Sequence, residues 1–236
     1  MADISFLTQH TAIGRVEELE PKPEKSRKYL GMSEIGDNCK RRLWLKFHKG
    51  FKEVFSPRMR RLFDIGHYIE KRIISDLKRA GFTVDGKQKE FKDYKGKFKG
   101  HCDGLIQGIP ESTKWHILEA KSCNDKNFAL FQSGGIQTHP IYGAKYFAQA
   151  QCYMGYAGLD RALFIVENKA TSERYQERIK LDPQSFLELK AKAGDIITSS
   201  VPPKGISLRV DWWECKYCFL NNEKACRNLW PGETPF

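Results

Sequence analysis

The chain has 236 residues, of which 40% are hydrophobic, and it carries a formal net charge of +11. This length allows one substantial core, and the hydrophobic content supports a folded protein. The sequence contains no run of about 18 apolar residues and no charged-then-apolar leader, which argues against a membrane-spanning or secreted protein. We therefore expect a soluble, cytoplasmic protein without a membrane partner.

The positive charge is concentrated in the first part of the chain. Residues 1–100 contain 24 Lys and Arg against 14 Asp and Glu, whereas residues 101–236 contain 16 against 15. Basic clusters at residues 40–42, 58–61 and 87–99 would attract a polyanion, with an affinity that falls as salt rises. They predict a nucleic acid partner; a basic surface that only aids solubility is the alternative.

The predicted elements begin after an N-terminal extension, residues 1–28, in which we expect a short helix and a linker that contains two prolines. Ser33 is a candidate cap for a following helix. After a break at residues 36–38, residues 39–47 look helical and place aromatic side chains on one side.

The clearest helix has Ser56 as its N-cap, Pro57 at its first position and Gly81 just past its end. Glu70 lies on or beside its apolar stripe, and Gly66, one turn earlier, leaves space for a close approach. A carboxylate buried there needs a cation, a metal or hydrogen bonds, whereas a Glu at the edge of the stripe would reach solvent. The apolar positions of this helix are Leu62, Phe63, Ile69, Ile73 and Leu77.

Two predicted strands on either side of a turn at residues 108–114 carry the densest set of chemical groups. Because side chains two apart in a strand share a face, Glu119 and Lys121 point the same way. Antiparallel pairing would bring Asp103 alongside them. Paired carboxylates can hold Mg²⁺ or Mn²⁺ while an ammonium orients a water, although a hairpin whose charges only face water is the alternative.

The rest of the core alternates between helices and strands, which predicts an α/β fold. Residues 122–140 have no steady period, and we predict a mobile loop there. The next helix places Gln149 and Tyr153 one turn apart, on a face shared with Tyr146. The further predicted elements are strands at 82–84, 89–94, 161–166 and 175–181, and helices at 141–158 and 182–199.

The tail is rich in cysteine, and seven cysteines in total is an odd number for a disulfide framework. Cys215, Cys218 and Cys226 place three thiols within twelve residues, and a metal site of this kind needs a fourth ligand. Cys39 is the best candidate. The other three cysteines adjoin the strands of the site or lie within a helix, where small buried thiols are usually inert; they are Cys102, Cys123 and Cys152.

Taken in order, these motifs resemble the PD-(D/E)XK nuclease superfamily, and specifically its RecB-type exonuclease branch. The motifs are Gly66-x-x-x-Glu70, Gly100-His-x-Asp103-Gly, Glu119-x-Lys121 and Gln149-x-x-x-Tyr153. One cysteine before this set and three after it resemble the iron–sulfur members of that branch, the AddB nuclease domain and the four-cysteine nuclease of CRISPR adaptation. The resemblance implies a mixed central sheet flanked by helices, with a nuclease core at residues 29–200 and a cysteine-rich metal clasp at residues 201–236.

The resemblance also implies a metal-dependent DNA exonuclease that acts on single strands or duplex ends. Asp103, Glu119, the backbone carbonyl of Ala120 and Glu70 would hold one or two Mg²⁺ or Mn²⁺ ions. Lys121 would position the attacking water. From the neighbouring helix, two residues would order Lys121 or contact the DNA backbone; they are Gln149 and Tyr153.

For the cysteines, the resemblance implies a four-iron four-sulfur cluster on Cys39, Cys215, Cys218 and Cys226. Ligation by thiolates alone is also compatible with structural zinc, and free or partly oxidised thiols are a further alternative. The seven residues between Cys218 and Cys226 are a longer gap than is usual in the family. A recombination or CRISPR-type protein is an expected partner. Alternatives are a DNA-binding or assembly subunit that has lost catalysis, and a site- or structure-specific endonuclease.

Overall fold

The structure is a computed structural model that describes residues 27–110, 112–207, 209, 211–221 and 223–227. The helix and linker expected in the N-terminal extension fall, apart from its last residues, outside the described residues. The elements in chain order are β1 (Leu30–Gly31), α1 (Lys40–Lys49), α2 (Pro57–Arg79), β2 (Thr83–Asp85), β3 (Glu90–Asp93), a 3-10 turn (Tyr94–Gly96), β4 (Phe98–His101), β5 (Gly104–Gln107), β6 (His116–Cys123), α3 (Asp125–Thr138), α4 (Gly143–Ala157), β7 (Arg161–Asn168), β8 (Arg174–Lys180), α5 (Pro183–Thr198), α6 (Trp213–Lys216) and α7 (Lys224–Arg227).

The strands form two sheets. The larger sheet has five strands in the order β2-β5-β6-β7-β8, and the smaller one has three in the order β1-β4-β3. Strands β6 and β7 run parallel, whereas the other pairs of the larger sheet are antiparallel. This confirms the expected mixed α/β architecture with central sheets flanked by helices.

Strand β6 lies at the centre of the larger sheet and separates two hydrophobic cores. Ile117 belongs to the main core, which packs beneath α1, α3, α4 and α5, while Leu118 and Ala120 belong to a second core that packs under α2. This alternation follows from the two-residue period of a strand. Glu119 and Lys121 therefore lie on the main-core face, the one covered by α3 and α4.

Helix α2 begins as the sequence predicts. The Ser56 side chain accepts a hydrogen bond from the N–H of Met59, and Pro57 occupies the first turn. Ile69 and Ile73 are buried. Phe63 was expected among the apolar positions but is 38% exposed, because its ring packs edge-on against Phe55 and not within either hydrophobic core.

Two further expectations differ from the structure. Ser33 begins no helix; the chain turns there, and the Cys39 side chain caps α1 by accepting from the N–H of Arg42. Residues 122–140 are not a loop, since they contain helix α3, capped by Asn124. The loop was predicted because of the glycine pair at residues 134–135. This pair lies at a kink within the helix, where Gly135 has a φ of 74° that favours glycine.

Helix α3 is held to the sheet by buried contacts. Phe128 and Phe131 are almost fully buried in the main core, and the carboxylate of Glu177 on β8 accepts the N–H of Ile136 just past the kink. None of the helices in the described ranges is long and apolar enough to cross a membrane.

Candidate active site

Asp103 is fixed where β5 and β6 stop pairing. The last register pair beside it is Gly104 with Leu118, so the next N–H groups of β6 have no partner on β5. The Asp103 carboxylate takes that place, because its Oδ2 accepts the N–H of Ala120 at 2.8 Å. Asp103 is only 6% exposed, and this bond holds its carboxylate against the middle of β6.

Glu119 and Lys121 meet Asp103 on the same side of the strand. The Lys121 Nζ donates to Glu119 Oε2 at 2.6 Å and to Asp103 Oδ2 at 3.4 Å. The structure thus brings together the three residues of the Asp and Glu-x-Lys motifs. One atom has no partner within the described chain: Glu119 Oε1 is buried and accepts no hydrogen bond.

The charges in this cluster are strongly coupled. Burial raises the pKa of Glu119 to about 8; Lys121 opposes that rise, while the negative charge of Asp103 adds to it. Burial disfavours the charged form of Lys121, but Asp103 and Glu119 outweigh it, and the pKa of the ammonium lies well above its ordinary value. Lys121 is therefore a cation and a hydrogen-bond donor at neutral pH, and it cannot accept a proton.

Glu70 reaches the same region from α2. Burial, followed by the negative charge of Asp103, raises the pKa of its carboxyl group. The side-chain amide of Gln88 donates to Glu70 Oε1 at 3.1 Å. Gln88 has a φ of 56°, a left-handed conformation that is uncommon for a residue with a side chain and that concentrates at functional sites.

A solvent-open cleft of about 640 Å³ lies between α2 and Asp103, and neither Glu119 nor Lys121 is part of its lining. Its lining includes Glu70 and Asp103 together with residues that the sequence motifs did not identify: Asp64, His67, Tyr68, Lys71, Lys87 and Gln88. His67 follows Gly66 directly and lies one turn from Asp64 and Lys71. This helical spacing could have predicted that the residues of α2 line the site together. No sequence signal marks Gln88, because its contact with Glu70 depends on how the chain returns after α2.

Whether this site fits a divalent cation can be judged from its donors. Carboxylate oxygens are the ligands that Mg²⁺ and Mn²⁺ prefer, and mutual repulsion between Glu70, Asp103 and Glu119 would be relieved by a bound cation. The partnerless Glu119 Oε1 is a ready donor. In the described ranges, however, no three His, Cys, Asp or Glu side chains lie close enough to form a complete metal site as they stand.

Gln149 and Tyr153 lie behind the cluster on α4. The Gln149 amide donates to the Tyr153 hydroxyl at 3.2 Å, as their spacing of one turn predicts. Tyr153 is only 1% exposed, so its side chain cannot reach the backbone of a bound DNA. The aromatic ring beside Lys121 is that of Tyr146, whose centroid lies 5.8 Å from the Lys121 Nζ.

The close approach of Tyr153 to β4 depends on a glycine. A Cβ atom built on Gly100 would lie 2.8 Å from the Tyr153 hydroxyl oxygen and 2.9 Å from the Cβ of Met32, both too close. The glycine of the Gly100-His-x-Asp103 motif therefore has a packing role. It lets α4 sit close to the strand that leads into Asp103.

The four cysteines assigned to the clasp line one small cavity of about 20 Å³ that is partly open to solvent, together with Arg42. Arg41 is buried and ties the tail to α1, since its guanidinium donates to the backbone oxygens of Pro203 at 2.8 Å and Cys226 at 3.0 Å. None of the cysteines in the described chain forms a disulfide. The four that line the cavity are Cys39, Cys215, Cys218 and Cys226.

The other three cysteines lie outside this cavity, and their thiols are unreactive. Burial raises the pKa of Cys102 and Cys152 to about 12 and that of Cys123 to about 11. Thiols with such pKa values are protonated at neutral pH and are poor nucleophiles and ligands. None of these three cysteines lines the cavity that Cys39 shares with the cysteines of the tail.

No protein-family model and no curated protein matches the sequence, but solved structures match the fold. An alkaline exonuclease from Laribacter hongkongensis has a TM-score of 0.53 and 16% identity, covering 73% of this chain and 87% of that chain. Its complex with dAMP has a TM-score of 0.51 and 15% identity, covering 72% and 86%. The protein SSO0001 has a TM-score of 0.52 and 17% identity, covering 95% and 96%.

At these identities the similarity shows the fold. The chain has the mixed α/β fold of the alkaline exonuclease.

Proposed function

We propose that the protein is a divalent-metal-dependent DNA exonuclease that hydrolyses phosphodiester bonds in single strands or at duplex ends. The observation that carries this proposal is the cluster of Asp103, Glu119 and Lys121, in which one buried carboxylate oxygen has no partner. The similarity of the fold to an alkaline exonuclease, for which a complex with dAMP is known, supports it.

In this proposal Asp103, Glu119, Glu70 and the backbone carbonyl of Ala120 hold Mg²⁺ or Mn²⁺. The cation would supply charge neutralisation at the scissile phosphate and a bound water of lowered pKa. Lys121 donates a hydrogen bond to the attacking water or to a phosphate oxygen, and its positive charge offsets the charge that accumulates on the phosphorus centre. Gln88 orients Glu70 through the 3.1 Å hydrogen bond.

Gln149 and Tyr153 act within the protein in this scheme. Their hydrogen bond is internal to α4 and orients the buried Tyr153 side chain that packs against Gly100, and Tyr146 on the same helix packs beside Lys121. The basic residues of α2 and of the segment after β2 supply the phosphate track, and Lys71 and Lys87 line the cleft itself. A recombination or CRISPR-type protein is the kind of partner we propose for it.

For the second cofactor we propose a four-iron four-sulfur cluster held by the four cysteines that line the tail cavity, with structural zinc as the alternative. The donor set fits either, because four thiolates suit both. Arg42 lines the same cavity and would partly offset the negative charge of a thiolate-bound cluster. Neighbouring Asp37 holds the pKa of Arg42 above its ordinary value even though burial opposes this, so the guanidinium is charged.

A time course on end-labelled linear DNA and on internally labelled closed circles tests the proposed activity. Linear single strands, linear duplexes and closed circles would each be incubated with Mg²⁺, with Mn²⁺ and with chelator. We expect release of nucleotides from the linear substrates and none from the circles or with chelator. Cutting of circles would indicate an endonuclease instead, and binding without cleavage under either cation would indicate a DNA-binding or assembly subunit.

A further inference from the structure

One side of α2 forms a wall of the cleft. Asp64, His67, Tyr68 and Lys71 follow one another at helical spacing along this wall, close to Glu70 and Asp103. Tyr68 is the large aromatic residue among them and is 65% exposed. An exposed aromatic ring alone is ordinary, but this one opens onto the cleft that holds the carboxylates.

The Tyr68 ring is backed by a cation that the fold holds in place. The guanidinium carbon of Arg72 lies 5.9 Å from the ring centroid. Arg72 forms an ion pair with Glu167, which is fully buried, and Glu167 also accepts from Arg174 Nε at 2.8 Å. Arg72 is thus anchored to β7 and restricts the Tyr68 side chain that packs against it. Less conformational entropy of Tyr68 is therefore lost when a ligand packs onto the ring.

The surroundings of the ring match a known way of binding single strands. Proteins that bind unpaired nucleic acid without sequence preference combine cations along the backbone with aromatic rings on which bases stack. Here Lys71 and Lys87 line the same cleft as Tyr68. A base can reach such a ring only when it is not paired and stacked within a duplex.

We propose that Tyr68 is a stacking platform for an unpaired nucleobase of the strand whose phosphate lies at Asp103 and Glu119. This inference rests on the proposed function and adds substrate selectivity to it. The strand that enters the cleft is single-stranded or frayed. Because every base has an aromatic face, the platform tolerates any sequence.

The test compares Tyr68→Ala and Tyr68→Phe with a matched surface control, Leu187→Ala, which removes a 57% exposed side chain from α5. Binding of a fluorescent single strand is measured with Ca²⁺ in place of Mg²⁺ to prevent turnover. We expect Tyr68→Ala to weaken binding by about 5- to 150-fold, the range for losing one stacked base. Tyr68→Phe and Leu187→Ala should bind as the wild type does.

A set of strands that each lack one base, at successive positions, separates stacking from any general effect of the substitution. The wild-type protein should bind one of these strands more weakly than the rest, namely the strand that lacks the base stacked on Tyr68. Tyr68→Ala should bind that strand as tightly as it binds the intact strand, since the same contact cannot be removed twice. The platform would be overturned if the wild type bound all the base-lacking strands equally well. It would also be overturned if the missing base weakened binding to Tyr68→Ala as much as it weakened binding to the wild type.

The two proposals fail in different ways. If the wild type cleaves linear DNA but neither Tyr68→Ala nor any missing base changes binding, the platform is wrong and the nuclease stands. If the wild type neither binds nor cleaves DNA with any divalent ion, both are wrong.

Discussion

The carboxylate of Asp103 accepts the backbone N–H of Ala120 at 2.8 Å, and this bond continues the pairing of β5 with β6 past the last register pair. Asp103 therefore serves the fold as well as the proposed chemistry. A substitution that keeps the acceptor but removes the charge can separate these two roles.

Asp103→Asn and Asp103→Ala should differ in folding stability, whereas both should lose the proposed DNA cleavage. Asparagine keeps an oxygen that can accept the Ala120 N–H, whereas alanine leaves this buried donor unsatisfied, at a cost of about 1–3 kcal/mol. We expect chemical denaturation to show Asp103→Asn close to the wild type and Asp103→Ala destabilised by that amount. Equal destabilisation of both would show that the charge, not the hydrogen bond, holds this part of the fold.

Lys121→Met removes the cation from a cluster of carboxylates. Removing one partner of a buried ion pair leaves the other charges uncompensated and costs about 3–5 kcal/mol. Because Lys121 keeps some access to solvent, we expect the lower part of this range. A divalent cation that binds the folded state would then restore part of the loss.

The measurement is the melting temperature with and without Mg²⁺. We expect the Mg²⁺-induced rise to be larger in Lys121→Met than in the wild type, and absent when Glu119 is also changed to Gln. Glu188→Gln, an exposed carboxylate on α5, is the control and should respond as the wild type does. An equal rise in all four proteins would place the cation elsewhere.

Gln88 combines a strained backbone with a contact to Glu70, and two substitutions separate these features. Gln88→Ala keeps the unfavourable left-handed conformation and loses the hydrogen bond. Gln88→Gly loses the same bond but relieves about 1 kcal/mol of strain. We expect Gln88→Gly to be the more stable of the two, and both to need more Mg²⁺ for half-maximal cleavage than the wild type. Wild-type Mg²⁺ dependence in both would remove Gln88 from the site.

Acid should weaken the fold in part through Asp93, at the end of β3. Burial raises the pKa of its carboxyl group, but hydrogen bonds from the Tyr94 N–H, Lys190 and the Tyr156 hydroxyl outweigh this, so the pKa lies below its ordinary value of 3.8. A depressed pKa means that this stabilisation is complete above the unfolded-state value and is lost as pH falls through the folded-state value.

Asp93→Asn is the variant that tests this. We expect it to be less stable than the wild type by at most about 1 kcal/mol at neutral pH, since asparagine keeps an oxygen for the Tyr94 N–H but loses the charge that pairs with the partly exposed Lys190. The difference should shrink below pH 3.8 and vanish at still lower pH. Denaturation curves across that range measure it, and a difference independent of pH would contradict the assignment.

The cysteine clasp is tested by metal content and colour. After anaerobic purification, we expect a protein with visible absorption and iron, and loss of both in Cys39→Ser and Cys215→Ser. Cys152→Ala, a buried cysteine of the main core, is the matched control and should keep them. A colourless protein with stoichiometric zinc would select the alternative cofactor, and no bound metal at all would contradict the clasp.

The sequence was most informative where local rules act alone. Ser56, Pro57 and the stripe that includes Ile69 and Ile73 define α2, because caps and helical periodicity are local properties. The spacing of Glu119 and Lys121 likewise predicts that they share a face of β6, and the structure places their charged groups in contact.

The failures have a common physical cause, since each depends on a contact distant in sequence. The glycine pair of α3 resembles a loop, yet Glu177 on β8 holds the backbone beyond the kink. Gln88 meets Glu70 only after the turn that follows α2. Phe63 lies outside both hydrophobic cores, and helical periodicity contains no information about how far along α2 a core extends.

The most direct test of the central claim is Mg²⁺-dependent release of nucleotides from end-labelled single-stranded DNA by the wild type and by Asp103→Asn at equal folded concentration. We predict time-dependent loss of label with the wild type and at least about 100-fold slower release with Asp103→Asn, as expected when a group that stabilises the transition state is removed. Equal rates for the two proteins would contradict the assignment of this cluster as the site of cleavage.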